Sequence, residues 1–99
     1  MKQTIYTLRT KALNEIENRI ENRLPIFGYD QNTVELNDDF EMHLFSHGAT
    51  YTAEIWDNGA NEFFPPTVAE SRVIGTGDFA DDLYYLVELV FEDLEKYLS

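Results

Sequence analysis

Few side chains in this sequence are equipped for chemistry, and most of those are acids. His43 and His47 stand four residues apart in an alternating stretch. In a strand both point to one side, but at roughly 3.3 Å per residue they are about 13 Å apart, too far for one metal ion. Glu41 and His43 lie two apart on that side and are near enough to touch. Such a pair suits a structural contact better than metal or general-base work. Asp57-Asn58-Gly59-Ala60-Asn61-Glu62 and Asp30-Gln31-Asn32 are rich in oxygen ligands. Neither follows the twelve-residue order of an EF-hand, and both read as turns. Gly75-Thr76-Gly77 precedes a helical pattern, the setting of a phosphate cradle. No lysine follows, however, and Asp78, Asp81 and Asp82 would repel an anion. There is no nucleophile elbow, no Ser/His/Asp order and no cysteine. The expectation is a non-enzyme without catalytic residues, metal or cofactor. A deep pocket holding His43, or a carboxylate of perturbed pKa, would argue instead for a small enzyme.

Two other groupings suit binding. Asp81, Glu88, Glu92 and Glu95 fall on one face of the C-terminal helical pattern, with Tyr85 in the gap. Side chains three or four apart on a helix lie about 5–6 Å from one another at Cβ. That is the scale on which phosphates follow one another along a nucleic-acid strand. Such an array would suit the basic groove of a nucleic-acid-binding protein. The second grouping is aromatic. Phe45 and Trp56 share one face of an expected sheet with Glu41, His43, Thr50, Thr52 and Glu54, and Phe63 and Phe64 fall near its rim. Embedded Trp and Phe on a polar face are typical anchors of a protein interface.

These residues need elements to carry them. Residues 4–24 read as an amphipathic helix, with Ile5, Leu8, Ala12, Leu13, Ile16, Ile20 and Leu24 at intervals of three and four, stopped by Pro25. Four strands follow, at residues 33–36, 40–46, 49–56 and 68–74. Turns fall at Asn37-Asp38-Asp39, His47-Gly48 and Asp57-Asn58-Gly59. Phe63-Phe64-Pro65-Pro66 reads as a loop or edge, since proline lacks the ladder donor. Asp78 is a good N-cap for a last helix with the core stripe Phe79, Leu83, Leu86, Val87, Val90, Leu94 and Tyr97. Tyr84, Tyr85, Leu89, Phe91 and Leu98 lie off the stripe and widen its apolar arc. The order α-β-β-β-β-α predicts an α+β fold: two layers, a four-stranded antiparallel meander, and both helices on one face.

Nineteen Asp and Glu against seven Lys and Arg give the 99 residues a net charge of −12. The imbalance is uneven: residues 1–24 carry a net +2 and residues 25–99 a net −14. Seven Phe, six Tyr and one Trp distinguish the chain from a disordered acidic tail. Direct contact with nucleic acid or an anionic membrane is disfavoured, since both need basic surface. With no cysteine, no signal-peptide run and no membrane-spanning stretch, the expectation is a single cytoplasmic domain over residues 1–99.

In size, charge and aromatic content the chain resembles small acidic proteins of phages and mobile elements, including anti-CRISPR and anti-restriction inhibitors that imitate DNA. The resemblance rests on those properties and carries over no functional residue. It implies an inhibitor that docks on a basic partner, such as a nuclease. On that expectation Asp81, Glu88, Glu92 and Glu95 steer, while Tyr85, Phe45, Trp56, Phe63 and Phe64 anchor. The alternative is an accessory protein that forms a homodimer through the wide apolar arc of its last helix.

Overall fold

The computed structural model describes residues 2–28 and 30–99. Its elements are α1 (Lys2–Glu21), β1 (Thr33–Glu35), β2 (Phe40–His47), β3 (Thr50–Asp57), β4 (Thr67–Ile74) and α2 (Phe79–Leu98). The strands form one antiparallel sheet in the order β1-β2-β3-β4. This is the α+β fold, α-β-β-β-β-α, that the alternation and the turns predict.

Register decides which side chains meet. Val34 pairs with Met42, Met42 with Ile55, Ile55 with Ala69, and Leu44 with Ala53. All six are buried, so one face of the sheet is apolar throughout. A one-residue slip would turn that whole set toward water. α2 lies against β3, β4 and α1 together. Its Leu83, Leu86, Val87, Val90 and Leu94 are fully enclosed. Phe91, which periodicity leaves off the stripe, is only 1% exposed. The reason is that α2 has two partners at different angles, and a helix so placed needs an apolar arc wider than one stripe. Phe79 and Tyr97, expected in the core, instead sit at its margin. Phe79 meets the rings of Phe27 and Tyr51 edge-on, and Tyr97 keeps its hydroxyl for Asp57.

α1 stops at Glu21 rather than at residue 24. Arg23 adopts a left-handed conformation (φ 55°), the Leu24 amide returns to the Arg19 carbonyl at 2.8 Å, and the Arg23 amide donates to the Ile20 carbonyl at 3.3 Å. This is a Schellman closure, and it turns Leu24 outward, 47% exposed rather than buried. The hairpin between β2 and β3 likewise turns through Gly48 and Ala49, with His47 paired to Thr50.

Each helix sends one polar side chain to a sheet edge. Arg19 donates to the carbonyls of Gln31 (3.0 Å) and Thr33 (2.8 Å) beside β1. Asp93 accepts the Glu70 amide of β4 at 3.0 Å. Satisfied edge groups no longer offer a template for another strand. At the start of α2, Asp78 caps the Asp81 amide, as expected of an N-cap. Buried Asp82 accepts both the amide and the hydroxyl of Thr76. The glycine loop therefore cradles the chain's own carboxylate.

Two substitutions test these closures. Arg23→Gly relieves the left-handed strain at some cost in unfolded-chain entropy, for a net gain of about 0.5–1 kcal/mol in thermal unfolding. Tyr97→Phe lowers the melting temperature, whereas Tyr85→Phe on the exposed face leaves it unchanged. The hydrogen bond to Asp57, with burial and the Asp57 charge, raises the Tyr97 hydroxyl above its ordinary pKa of 10.0. Its contribution is complete below pH 10 and is lost as pH rises through the raised value. The wild-type chain should therefore lose more stability at alkaline pH than the Phe variant does.

Candidate partner-binding surfaces

The outward face of α2 carries the acidic stripe. Asp81, Tyr85, Glu88, Glu92 and Glu95 are all exposed. At 1.5 Å per residue they span about 21 Å of one straight helix. At its N-terminal end the stripe meets the acids of the first turn of α2. The neighbouring Asp78 charge, its hydrogen bond to Asp81, burial and the charge of Asp82 raise the Asp81 carboxyl above its ordinary value. Burial, followed by Glu17, Glu21 and Asp81, raises the Tyr84 hydroxyl in the same way. Glu17 and Glu21 belong to α1, so acids of both helices act on Tyr84. Arg9 of α1 reaches Glu88 at 3.8 Å, with both side chains partly exposed. A pair so placed contributes little and leaves the stripe acidic.

The opposite surface is the open face of the sheet, centred on His43. Its Nε2 lies 3.1 Å from Glu41 Oε2, the contact expected from their spacing. Its Nδ1 lies 3.3 Å from Thr33 Oγ1. The imidazole stacks on the indole of Trp56, with ring centroids 3.8 Å apart and planes 21° apart. Trp56 Nε1 donates to Glu54 Oε1 at 3.0 Å. Thr33 and the stack were not visible in local spacing, because the pairing of β1 with β2 and of β2 with β3 creates them. Hydroxyl, imidazole and carboxylate in contact are the group types of nucleophilic catalysis. Here Trp56 covers the ring and His43 is only 9% exposed. The cluster holds the Trp56 indole against the His43 ring with its N–H satisfied by Glu54.

Phe45 shares this face and is partly exposed. Phe63 and Phe64 lie in the β3–β4 loop, where Asn61 Oδ1 accepts both their amides at 3.0 Å. Because α2 covers the apolar face of the sheet, Tyr85 and the stripe lie on the other side of the molecule from Phe45 and Trp56. The structure thus groups Asp81, Tyr85, Glu88, Glu92 and Glu95 on one surface and Phe45 and Trp56 on another.

The oxygen-rich turns spend their ligands internally: Asp57 accepts from Ala60 and Tyr97, and Asn61 from the two Phe amides. Among the described residues, no group of three or more His, Asp or Glu is arranged to hold a metal ion. No helix there is long and apolar enough to cross a membrane. A groove of about 450 Å³ runs between the start of α1 and the β1–β2 turn. Thr4, Tyr6, Thr7, Leu8, Leu36 and Asn37 line it, with neither His43 nor a carboxylate among them.

A double-mutant cycle of His43→Ala and Trp56→Ala, read by urea unfolding, should return a favourable coupling of about 0.5–1.5 kcal/mol. Zero coupling would contradict the stack. Searches against known protein families, curated proteins and solved structures find no match to this chain.

Proposed function

We propose that the protein is a non-enzymatic binding or inhibitor protein of the cytoplasm. It docks the acidic face of α2 on a basic protein that handles nucleic acid, a nuclease being the type case. The observation that carries this is the exposed run Asp81, Tyr85, Glu88, Glu92 and Glu95 on a helix whose other side is locked into the core. Holding carboxylates on a rigid rod spares the entropy that a flexible acidic tail loses on binding. The net charge of −12, with only two bases after residue 24, extends the attraction beyond the contact itself. Steering of this kind raises association rates by roughly 10–10³ and weakens with salt. Tyr85, exposed within the stripe, supplies an aromatic anchor among the charges. The likeness to DNA-imitating inhibitors of phages and mobile elements supports the same reading. Homodimerisation through the arc of α2 finds less support, because Phe91 is buried, Tyr84, Leu89 and Leu98 already pack against the core, and only Tyr85 of the residues that widen the arc is exposed.

The test is retention of proteins from a cell lysate on the immobilised chain, at low and high salt. A basic nucleic-acid enzyme, held at low salt and released at high salt, is the expected catch. A chain carrying Asp81→Asn, Glu88→Gln, Glu92→Gln and Glu95→Gln should lose it while keeping its fold by circular dichroism. Equal retention by that variant would sink the proposal.

A further inference from the structure

We propose that Asn58 is a self-modifying site: in the folded chain it closes on the Gly59 amide and converts to aspartyl and isoaspartyl forms, the second of which releases the Asp57–Tyr97 anchor. The inference is independent of the partner-binding proposal, since this turn holds none of the stripe acids. Asparagine is a thermolabile residue, and its side chain reacts with the amide nitrogen of the residue that follows. Glycine there leaves that nitrogen unhindered, and Asn58 is the one asparagine of the chain followed by glycine. The fold itself asks for that glycine: a Cβ at Gly59 would lie 2.7 Å from Asp39 Oδ1. The turn is tied on either side of the reacting groups. The Asn58 amide donates to the Asp39 carbonyl at 2.6 Å, and the Ala60 amide reaches the Asp57 carbonyl at 3.3 Å and its Oδ1 at 3.1 Å. Among the described residues, however, no hydrogen bond holds the Asn58 side chain or the Gly59 amide. Asn58 is half-buried and Gly59 exposed, so water reaches both.

The other asparagines are held where Asn58 is free. Asn22 Nδ2 donates to the Asn18 carbonyl and to Asn18 Oδ1, which ties both side chains. Asn32 Nδ2 donates to the Leu44 carbonyl at 2.8 Å. Asn37 Oδ1 accepts the Asp39 and Phe40 amides, and Asn61 Oδ1 those of Phe63 and Phe64. Asn14 lies inside α1, where the helical ladder engages the following amide.

The step balances with water alone. The Gly59 nitrogen gives its proton to hydroxide and attacks the side-chain carbonyl carbon of Asn58. The new N–C bond closes a succinimide ring, and the side-chain nitrogen takes a proton from water and leaves as ammonia. A second water opens the ring at one carbonyl or the other, giving aspartate or isoaspartate. Either product adds one negative charge to the −12 of the chain, beside Asp39 and Asp57. Isoaspartate also routes the main chain through the extra side-chain carbon, which lengthens a turn tied at both ends. Asp57 sits at one of those ends and accepts the Tyr97 hydroxyl at 2.8 Å. Displacing it loosens the contact that joins the end of β3 to the end of α2.

Incubation of the folded chain in warm, mildly alkaline buffer tests this. Peptide mass spectrometry should show the Asn58 amide lost while the other six asparagines keep theirs. A protein isoaspartyl methyltransferase, which esterifies the isoaspartyl carboxylate, should label the incubated chain. Asn58→Gln should abolish the label, because glutamine must close a larger ring more slowly. Its circular dichroism should match the wild type, since no hydrogen bond to the side chain is lost. The isoaspartyl fraction, separated by anion exchange, should melt below the fresh chain. An Asn58 that keeps its amide in the folded chain, over a time in which the urea-unfolded chain converts, overturns the proposal. A label that persists in Asn58→Gln overturns the assignment to this turn. An isoaspartyl fraction that melts with the fresh chain overturns the release of Tyr97.

Discussion

Burial of α2 against two surfaces at once is the constraint on which the rest depends. The helix fills the space above β3 and β4 and also meets α1, with Leu86 and Val90 among the fully enclosed residues and Phe91 only 1% exposed. Removing any one buried side chain of this set would cost about 2–5 kcal/mol, a large share of the stability of a domain this size. The same burial orients the outer face. With its apolar arc taken up on two sides, only Asp81, Tyr85, Glu88, Glu92, Glu95 and their neighbours remain toward water. Core packing and the acidic display are two faces of one placement.

Polar contacts finish what the apolar packing begins. Asp57 with Tyr97 joins the end of β3 to the end of α2, and Asp82 with Thr76 joins the entry of α2 to the loop before it. Arg19 takes up the Thr33 carbonyl at the β1 edge and Asp93 the Glu70 amide at the β4 edge. Several of the chain's acids are therefore structural acceptors and contribute to the charge without belonging to the display. The distinction matters for mutagenesis. Neutralising Asp57 or Asp82 would damage folding, whereas neutralising Glu92 or Glu95 touches only solvent-facing charge.

Three surfaces of the molecule carry different physics. The α2 face is long-range and salt-sensitive, a row of like charges. The loop end, with Phe63 and Phe64, is short-range and apolar. The open sheet face lies between these extremes: its carboxylates are spent on His43 and Trp56, and its ring is stacked rather than free. One small chain thus separates steering from apolar contact in space.

Sequence by itself determined the element order, the alternating strands, the N-cap at Asp78 and the exposure of the α2 stripe, because these depend on local periodicity and on neighbours within a turn. It also brought Glu41 to His43, two residues apart on one strand face. Tertiary structure alone decided what depends on pairing between distant segments. Thr33 reaches His43 only through the β1–β2 register, and Trp56 stacks there only through the β2–β3 register. Phe91 is core because α1 lies beside α2, and Leu24 is exposed because Arg23 closes the helix early in a conformation that side-chain type does not favour. The separation of Tyr85 from Phe45 and Trp56 follows from which face of the sheet α2 covers. A helical wheel and a strand alternation each define a face, but only packing sets one face against another.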